Sequence, residues 1–200
     1  MKKNYKRNWR FTLKLLAVFG AMLSAGSASA QLSGMYTIDS ATARGGTNFQ
    51  SFEELEDTLD SDGISGVVTI DVLANSGPYD VGSLSLSSLA GFSGANSLTI
   101  NGNGDTLRGR SNVLEIEDVS NITFNNLVIE KTSGTGNLVI IRDEASNIMF
   151  DNCEIISRKS GGFDAYVLIG DNSTDVNTIT IQNCKIWNGL SCNKKRRMLE

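Results

Sequence analysis

The sequence predicts an all-β fold, a right-handed parallel β-helix with three strands per coil and a short N-terminal capping helix. Three observations predict it. The nonamers NITFNNLVI at 121–129, NIMFDNCEI at 147–155 and TITIQNCKI at 178–186 recur with Asn in sixth place. Upstream of each stands another short apolar run: VLEIED at 113–118, VIIRDE at 139–144 and VLIGDN at 167–172. The spacing of the units varies while the runs keep their length: from Leu98 to Ile122, Ile148 and Ile179 the intervals are 24, 26 and 31 residues. Stacked coils explain that combination, because strands must lie about 4.8 Å above their predecessors while corner loops are free to differ. Connections between parallel strands are overwhelmingly right-handed, which is the general support for that hand.

The first 30 residues stand outside this domain. A cationic opening, MKKNYKRNWR, leads into the apolar run FTLKLLAVFGAML and then SAGSASA, ending in the small-x-small pattern Ala28-Ser29-Ala30. This is the pattern of a secretory signal cleaved after Ala30. The run is short for a membrane anchor, which needs roughly 20 apolar residues. Cleavage would leave Gln31 as the mature start and no membrane span in the mature chain.

Export changes the electrostatics. Lys2, Lys3, Lys6, Arg7, Arg10 and Lys14 leave with the signal and no acid does, so 12 basic residues face 22 acidic ones and the charge becomes −10. Such a surface opposes nucleic-acid binding and repels polyanions unless divalent cations bridge them. The chain has no His. Ser-His-Asp and Cys-His catalysis and His-ligated zinc are therefore closed to it. Cys153, Cys184 and Cys192 are an odd number for an exported chain, and Cys153 and Cys184 take the nonamer place of Leu127. They read as small apolar residues stacked in a core rather than as a bridge.

Residues 31–64 carry the opening strand and the helix. NFQSFEELEDTLDSDGI puts Phe52, Leu55 and Leu59 on one helical face, with Ser51 as the start and a stop near Gly63. Placed just before the first β-run, this helix predicts a lid over the exposed end of the stack.

The coils occupy 65–188. VVTIDVL at 67–73 reads as the strand that opens the stack, and SLTINGNG at 97–104 matches the first half of the nonamer with Gly102 in the Asn place. Within each nonamer, Ile122 and Phe124, Ile148 and Phe150, and Ile179 and Ile181 alternate with polar residues or Met. After Asn the alternation restarts at Leu127 and Ile129, Cys153 and Ile155, and Cys184 and Ile186. Two strands meeting at an Asx-type bend produce that phase shift. Asn126, Asn152 and Asn183 then share one corner, tolerate an unusual backbone there and exchange amide hydrogen bonds from coil to coil: a structural ladder.

Alignment of the third runs on Ile116, Ile141 and Ile169 places Asp118, Asp143 and Asp171 together, with Arg142 beside Asp143. Three carboxylates on adjacent coils would hold Ca²⁺ through hard oxygen ligands or divide into acid and base for glycoside chemistry; ordinary strand-end turn chemistry accounts for them as well. Tyr79, Tyr166 and Trp187 are scattered and predict no sugar-stacking platform.

The stretch YTIDSATARGGTNFQSFEELEDTLDSDGISGVVTIDVL, followed by NSGPY, resembles the opening segment of secreted right-handed parallel β-helix proteins. These are pectate-lyase-like in fold and frequent in Bacteroidota. The resemblance covers about 35–80 specifically and 97–187 by repeat pattern. It implies a surface or secreted protein, with members that include adhesins and glycan-degrading enzymes, and it implies catalysis beside the third strands. Residues 189–200, with KKRR at 194–197, break from the pattern and read as a basic irregular tail of a truncated frame.

The functional expectation is a non-catalytic exported β-helix module in adhesion or glycan contact, with a fragment of a polysaccharide lyase or glycoside hydrolase as the alternative. Polysaccharide or cell-surface glycan is the expected partner. An uncapped last coil predicts self-association.

Overall fold

The computed structural model describes residues 30–158, 167–170, 175–187 and 190–192. The chain divides after Ala30, and its second unit begins at Gln31. This unit is a parallel β-solenoid of five coils. Coil 1 holds β3 (Ile64–Val72), β4 (Tyr79–Asp80) and β5 (Leu84–Ser87). Coil 2 holds β6 (Ser97–Asn101), β7 (Thr106–Gly109) and β8 (Leu114–Glu117). In coil 3 the strands are β9 (Ser120–Asn125), β10 (Val128–Lys131) and β11 (Val139–Arg142), and in coil 4 they are β12 (Ser146–Asp151), β13 (Glu154–Ser157) and β14 (Val167–Ile169). Coil 5 holds β15 (Asn177–Gln182), β16 (Lys185–Ile186) and β17 (Leu190–Cys192).

Successive coils contribute successive strands to three sheets, all in parallel register. Sheet A runs β3-β6-β9-β12-β15, sheet B runs β4-β7-β10-β13-β16, and sheet C runs β5-β8-β11-β14-β17. Period-2 alternation sends one set of side chains into the shared interior, so like lies over like. Ile70, Ile100, Phe124, Phe150 and Ile181 form one column, and Val68, Leu98, Ile122, Ile148 and Ile179 another. The Phe124 and Phe150 rings stack with centroids 4.9 Å apart and planes within 10°. That geometry follows from one coil spacing between identical side chains in one column.

The N-terminal end is closed by β1 (Leu32–Ile38), β2 (Asn48–Phe49) and helix α1 (Phe52–Asp62). The Ser51 side chain accepts the Glu54 amide, and the Gly63 N–H donates to the Leu59 carbonyl with Gly63 at φ 67°. Phe52, Leu55 and Leu59 are completely buried against the first coil. The sequence places the opening of the stack at 67–73, but β1 and β2 extend sheet A beyond it: Tyr36 pairs with Ile70 and Ile38 with both Val72 and Phe49. These strands lie in sheet A without belonging to a three-strand coil, so the repeat carries no trace of them.

The corner between sheets A and B is short in coils 3 to 5, where Asn126–Leu127, Asn152–Cys153 and Asn183–Cys184 join the strands. All three Asn residues have φ near +50°. Coil 2 turns differently. Asn101–Thr106 forms a wider corner in which Asn103 and Gly104 take positive φ, and the Asp105 N–H donates to the Gly102 carbonyl. Gly102 sits under the next corner, where a Cβ would fall 2.6 Å from the Leu127 Cα. Glycine stands in the Asn place there because the coil above leaves room for nothing larger.

Candidate functional site

The aligned third strands bring a charged group onto the outer face of sheet C. Ile116, Ile141 and Ile169 share one register and point inward, so Glu115, Glu117 and Arg142 point outward. Arg142 lies directly over Glu117, with which it forms an ion pair. Its guanidinium also stands 3.4 Å from Asp143 and 3.8 Å from Glu115. Partial burial pulls the Arg142 pKa down, but the hydrogen bond and charge of Glu117, with Asp143 and Glu115, outweigh it, and the group is held above its ordinary range. One cation thus ties coil 3 to two carboxylates of coil 2.

Asp118 and Asp143 occupy equivalent places one coil apart, each just past its strand and each at positive φ. Asp118 accepts a hydrogen bond from the Ser88 hydroxyl at 3.1 Å, which links it to coil 1. Glu115 accepts one from the Ser83 hydroxyl at 3.2 Å. Asp171 lies outside the described residues. Among the described residues no group of three His, Cys, Asp or Glu side chains is arranged to hold a metal ion. Arg142, Glu115, Glu117 and Asp118 link coils here, and Asp118 and Asp143 lie just past their strands in the left-handed turn conformation that Asp accommodates better than most residues.

The corner ladder has two kinds of rung. Asn152 Nδ2 donates to Asn126 Oδ1 at 3.3 Å, the coil-to-coil exchange that the repeat predicts. Asn183 departs from it: its Nδ2 donates to Asp151 Oδ1 at 2.8 Å. The neighbouring carboxylate is the stronger acceptor and captures the last amide. The Asn183 and Gln182 amides hold the Asp151 pKa below the usual carboxylate range.

A second column escaped the reading of the nonamer. Asn121, Asn147 and Thr178, its first residues, all have positive φ, and Asn147 Nδ2 donates to Asn121 Oδ1 at 2.6 Å. Asn121 in turn donates to the Asn96 carbonyl at 3.2 Å. The signal was present in the sequence as Asn in first place twice, masked by Thr in the third copy. Sheet B hides another feature: Arg108 grips Asp80 through two bonds of 2.7 and 2.9 Å, and Arg158 pairs with the buried Glu130. Lys131, fully buried, donates to the Gly136 carbonyl. The two arginine pairs each span 28 residues of sequence and are brought together by the coil register, whereas Lys131 and Gly136 meet within one coil.

The thiols behave as the nonamer predicts. Cys153 is buried and Cys184 half-buried, both unbridged, and each donates to a carbonyl of the preceding coil, Phe124 at 3.4 Å and Phe150 at 3.5 Å. Burial pushes the Cys153 thiol up to about 11, far from the range of a nucleophile at neutral pH. Of the aromatic residues, Tyr79 is buried edge-on against Phe52, and Trp187 is exposed with its indole N–H donating to Glu154 at 3.1 Å. Tyr166 lies outside the described residues.

Comparison with family models, curated proteins and solved structures finds no significant match to this chain. What the coordinates establish is the parallel, three-sheet β-solenoid itself, built from the residues of this sequence. No helix among the described residues is long and apolar enough to cross a membrane.

Proposed function

We propose that the mature chain is an exported, non-catalytic β-helix module of a secreted or surface protein, acting in adhesion or glycan contact, related to the pectate-lyase-like proteins of Bacteroidota type. The observation that carries this reading is the commitment of the sheet C side chains. Arg142 occupies Glu115, Glu117 and Asp143, and Ser88 occupies Asp118, so the acid and base of a glycan-cleaving pair would first have to be released from these contacts, of which all but that of Asp143 run between coils. Carboxylates paired in this way are poorly placed for proton transfer, which favours a contact role for the module over a catalytic one. Export is supported by the N-terminal sequence pattern; β1 begins at Leu32, two residues past the proposed cleavage point.

The test pairs two assays on the chain from Gln31. Affinity electrophoresis through a panel of neutral and acidic polysaccharides is expected to show retardation by at least one of them. Incubation with the same panel is expected to release no unsaturated or reducing ends; products at a measurable rate would replace this reading with a lyase or hydrolase. Coil 5 leaves Ile179, Ile181 and Ile186 only partly buried. The isolated chain is therefore expected to self-associate through that end, and a sharp monomer peak in size-exclusion chromatography would count against it.

A further inference from the structure

We propose that the outer face of sheet A is the binding surface, and that it takes a neutral, extended β-linked polysaccharide lying along the solenoid axis with one sugar ring per coil. This rests on the glycan-contact reading above and names its site and ligand class. The surface consists of two outward rows. Register places Met35, Thr69, Thr99, Thr123, Met149 and Thr180 in one, and Thr37, Asp71, Asn101, Asn125, Asp151 and Gln182 in the other. Both rows alternate along their strands with core residues such as Ile100 and Phe124, so the interior fixes their outward direction.

Within the second row, Asp71, Asn101 and Asn125 are linked from coil to coil, and so are Asp151 and Gln182. Asn101 Nδ2 donates to Asp71 Oδ1 at 2.7 Å, Asn125 Nδ2 to Asn101 Oδ1 at 3.1 Å, and Gln182 Nε2 to Asp151 Oδ2 at 3.1 Å. An amide that spends one N–H and one lone pair on its neighbours retains a second of each. Asn101, bonded on both sides, therefore offers a further donor and a further acceptor in fixed orientation, and Asn125 and Gln182 add amide groups oriented by one bond each, which spares a ligand part of the cost of ordering them. The first row supplies hydroxyls, with threonine methyl groups and Met149 beside them to receive the C–H face of a sugar ring.

Spacing and charge select the ligand. The rungs repeat at about 4.8 Å, close to the length of one pyranose in an extended β-linked chain. Neither row contains a cation, and the second carries Asp71 and Asp151. A polyanion would meet two carboxylates with no counter-charge, while a neutral polyol meets only hydrogen-bonding groups. Sheets B and C differ here, since both carry paired arginines on their outer faces.

The probes are hydroxyethyl cellulose and glucomannan, with polygalacturonate as the acidic control, in affinity electrophoresis of the chain from Gln31. The proposal expects retardation by the neutral polymers and none by polygalacturonate. The double variant Thr99→Lys/Thr123→Lys is expected to lose at least tenfold in affinity, while Ser87→Lys on sheet C retains it. Thr99→Val/Thr123→Val keeps the β-branched shape and removes only hydroxyls; it is expected to lose part of the affinity and serves where the lysine variant does not fold, judged by circular dichroism. No retardation by either neutral polymer overturns the proposal, and so does equal retardation of the sheet A variants and the unaltered chain. Binding lost only with Ser87→Lys, or confined to polygalacturonate, overturns the site or the ligand class and leaves the glycan-contact reading standing.

Discussion

The two ends of the solenoid carry similar side chains and treat them differently. At the N-terminal end, α1 and β1 cover coil 1, and Val68, Ile70, Leu55 and Leu59 are all completely buried. In coil 5 the inward residues Ile179 and Ile181, in the same columns as Val68 and Ile70, are only partly buried. Strand register is identical, so the strand itself does not create the core. A coil stabilises the stack in proportion to what lies on both of its sides, the behaviour of a one-dimensional array.

The largest expected effect tests that comparison within one column. Phe124→Ala, between Ile100 and the stacked Phe150, should cost about 3–5 kcal/mol in urea denaturation, whereas Ile181→Ala should cost about 1 kcal/mol. Equal costs would mean that coil 5 is covered as well as coil 3. Next comes the lid: Leu59→Ala should cost about 2–4 kcal/mol and raise hydrogen exchange first in β3 and β5, with β12 affected least.

The corners give a smaller difference. Asn152→Ala places an alanine at φ 53° and breaks the amide link to Asn126, for an expected loss of about 1–2 kcal/mol, while Asn152→Gly should recover most of it. Asn183→Ala should lose less, because the inward residues of its coil are only partly buried and Asp151 keeps the Gln182 amide. If the glycine variant were no better than alanine in thermal denaturation, the backbone argument at the corner would be wrong.

The smallest effect is a contrast in pH dependence between the ends. Asp151, lowered by the Asn183 and Gln182 amides, contributes stability above the ordinary carboxylate range that is lost as pH falls through its depressed value. Glu56 in α1 is raised, by burial first and then by Asp60, Asp57 and Glu53, against the pull of the Ser85 N–H. Its charge is a penalty above that raised value which disappears on acidification. Acid should therefore loosen β15 before β3, read as amide exchange corrected for intrinsic rates, and Glu56→Gln should give a small rise in Tm at neutral pH only. The opposite order of loosening would contradict both assignments.

Much of the fold was legible because stacking imposes a repeat on the sequence. Ile122, Ile148 and Ile179 recur at a fixed place because each touches its counterpart, and Ser51 and Gly63 mark the helix through backbone needs of their own. The lone strands β1 and β2 have no counterpart to repeat, and Gly102 answers to a contact with Leu127 in another coil. The site was legible only as an alignment. Asp118 and Asp143 fall in register as the sequence predicts, but the attachment of Arg142 to Glu115 and Glu117, and of Asn183 to Asp151, depends on side-chain reach across coils. Competition among acceptors of different strength decides such contacts, and spacing does not encode it.

Identical places in successive coils lie over one another along one axis. Nitroxide labels at positions 69 and 180, on a background with the three cysteines replaced, measure it most directly by pulsed electron resonance. Four coil steps of about 4.8 Å predict a narrow distribution near about 20 Å, allowing for label length. Labels at 99 and 123, one step apart, should show strong dipolar broadening at the same time. A broad or much longer distance for the first pair, or no broadening for the second, would contradict the stacked register on which every contact described above depends.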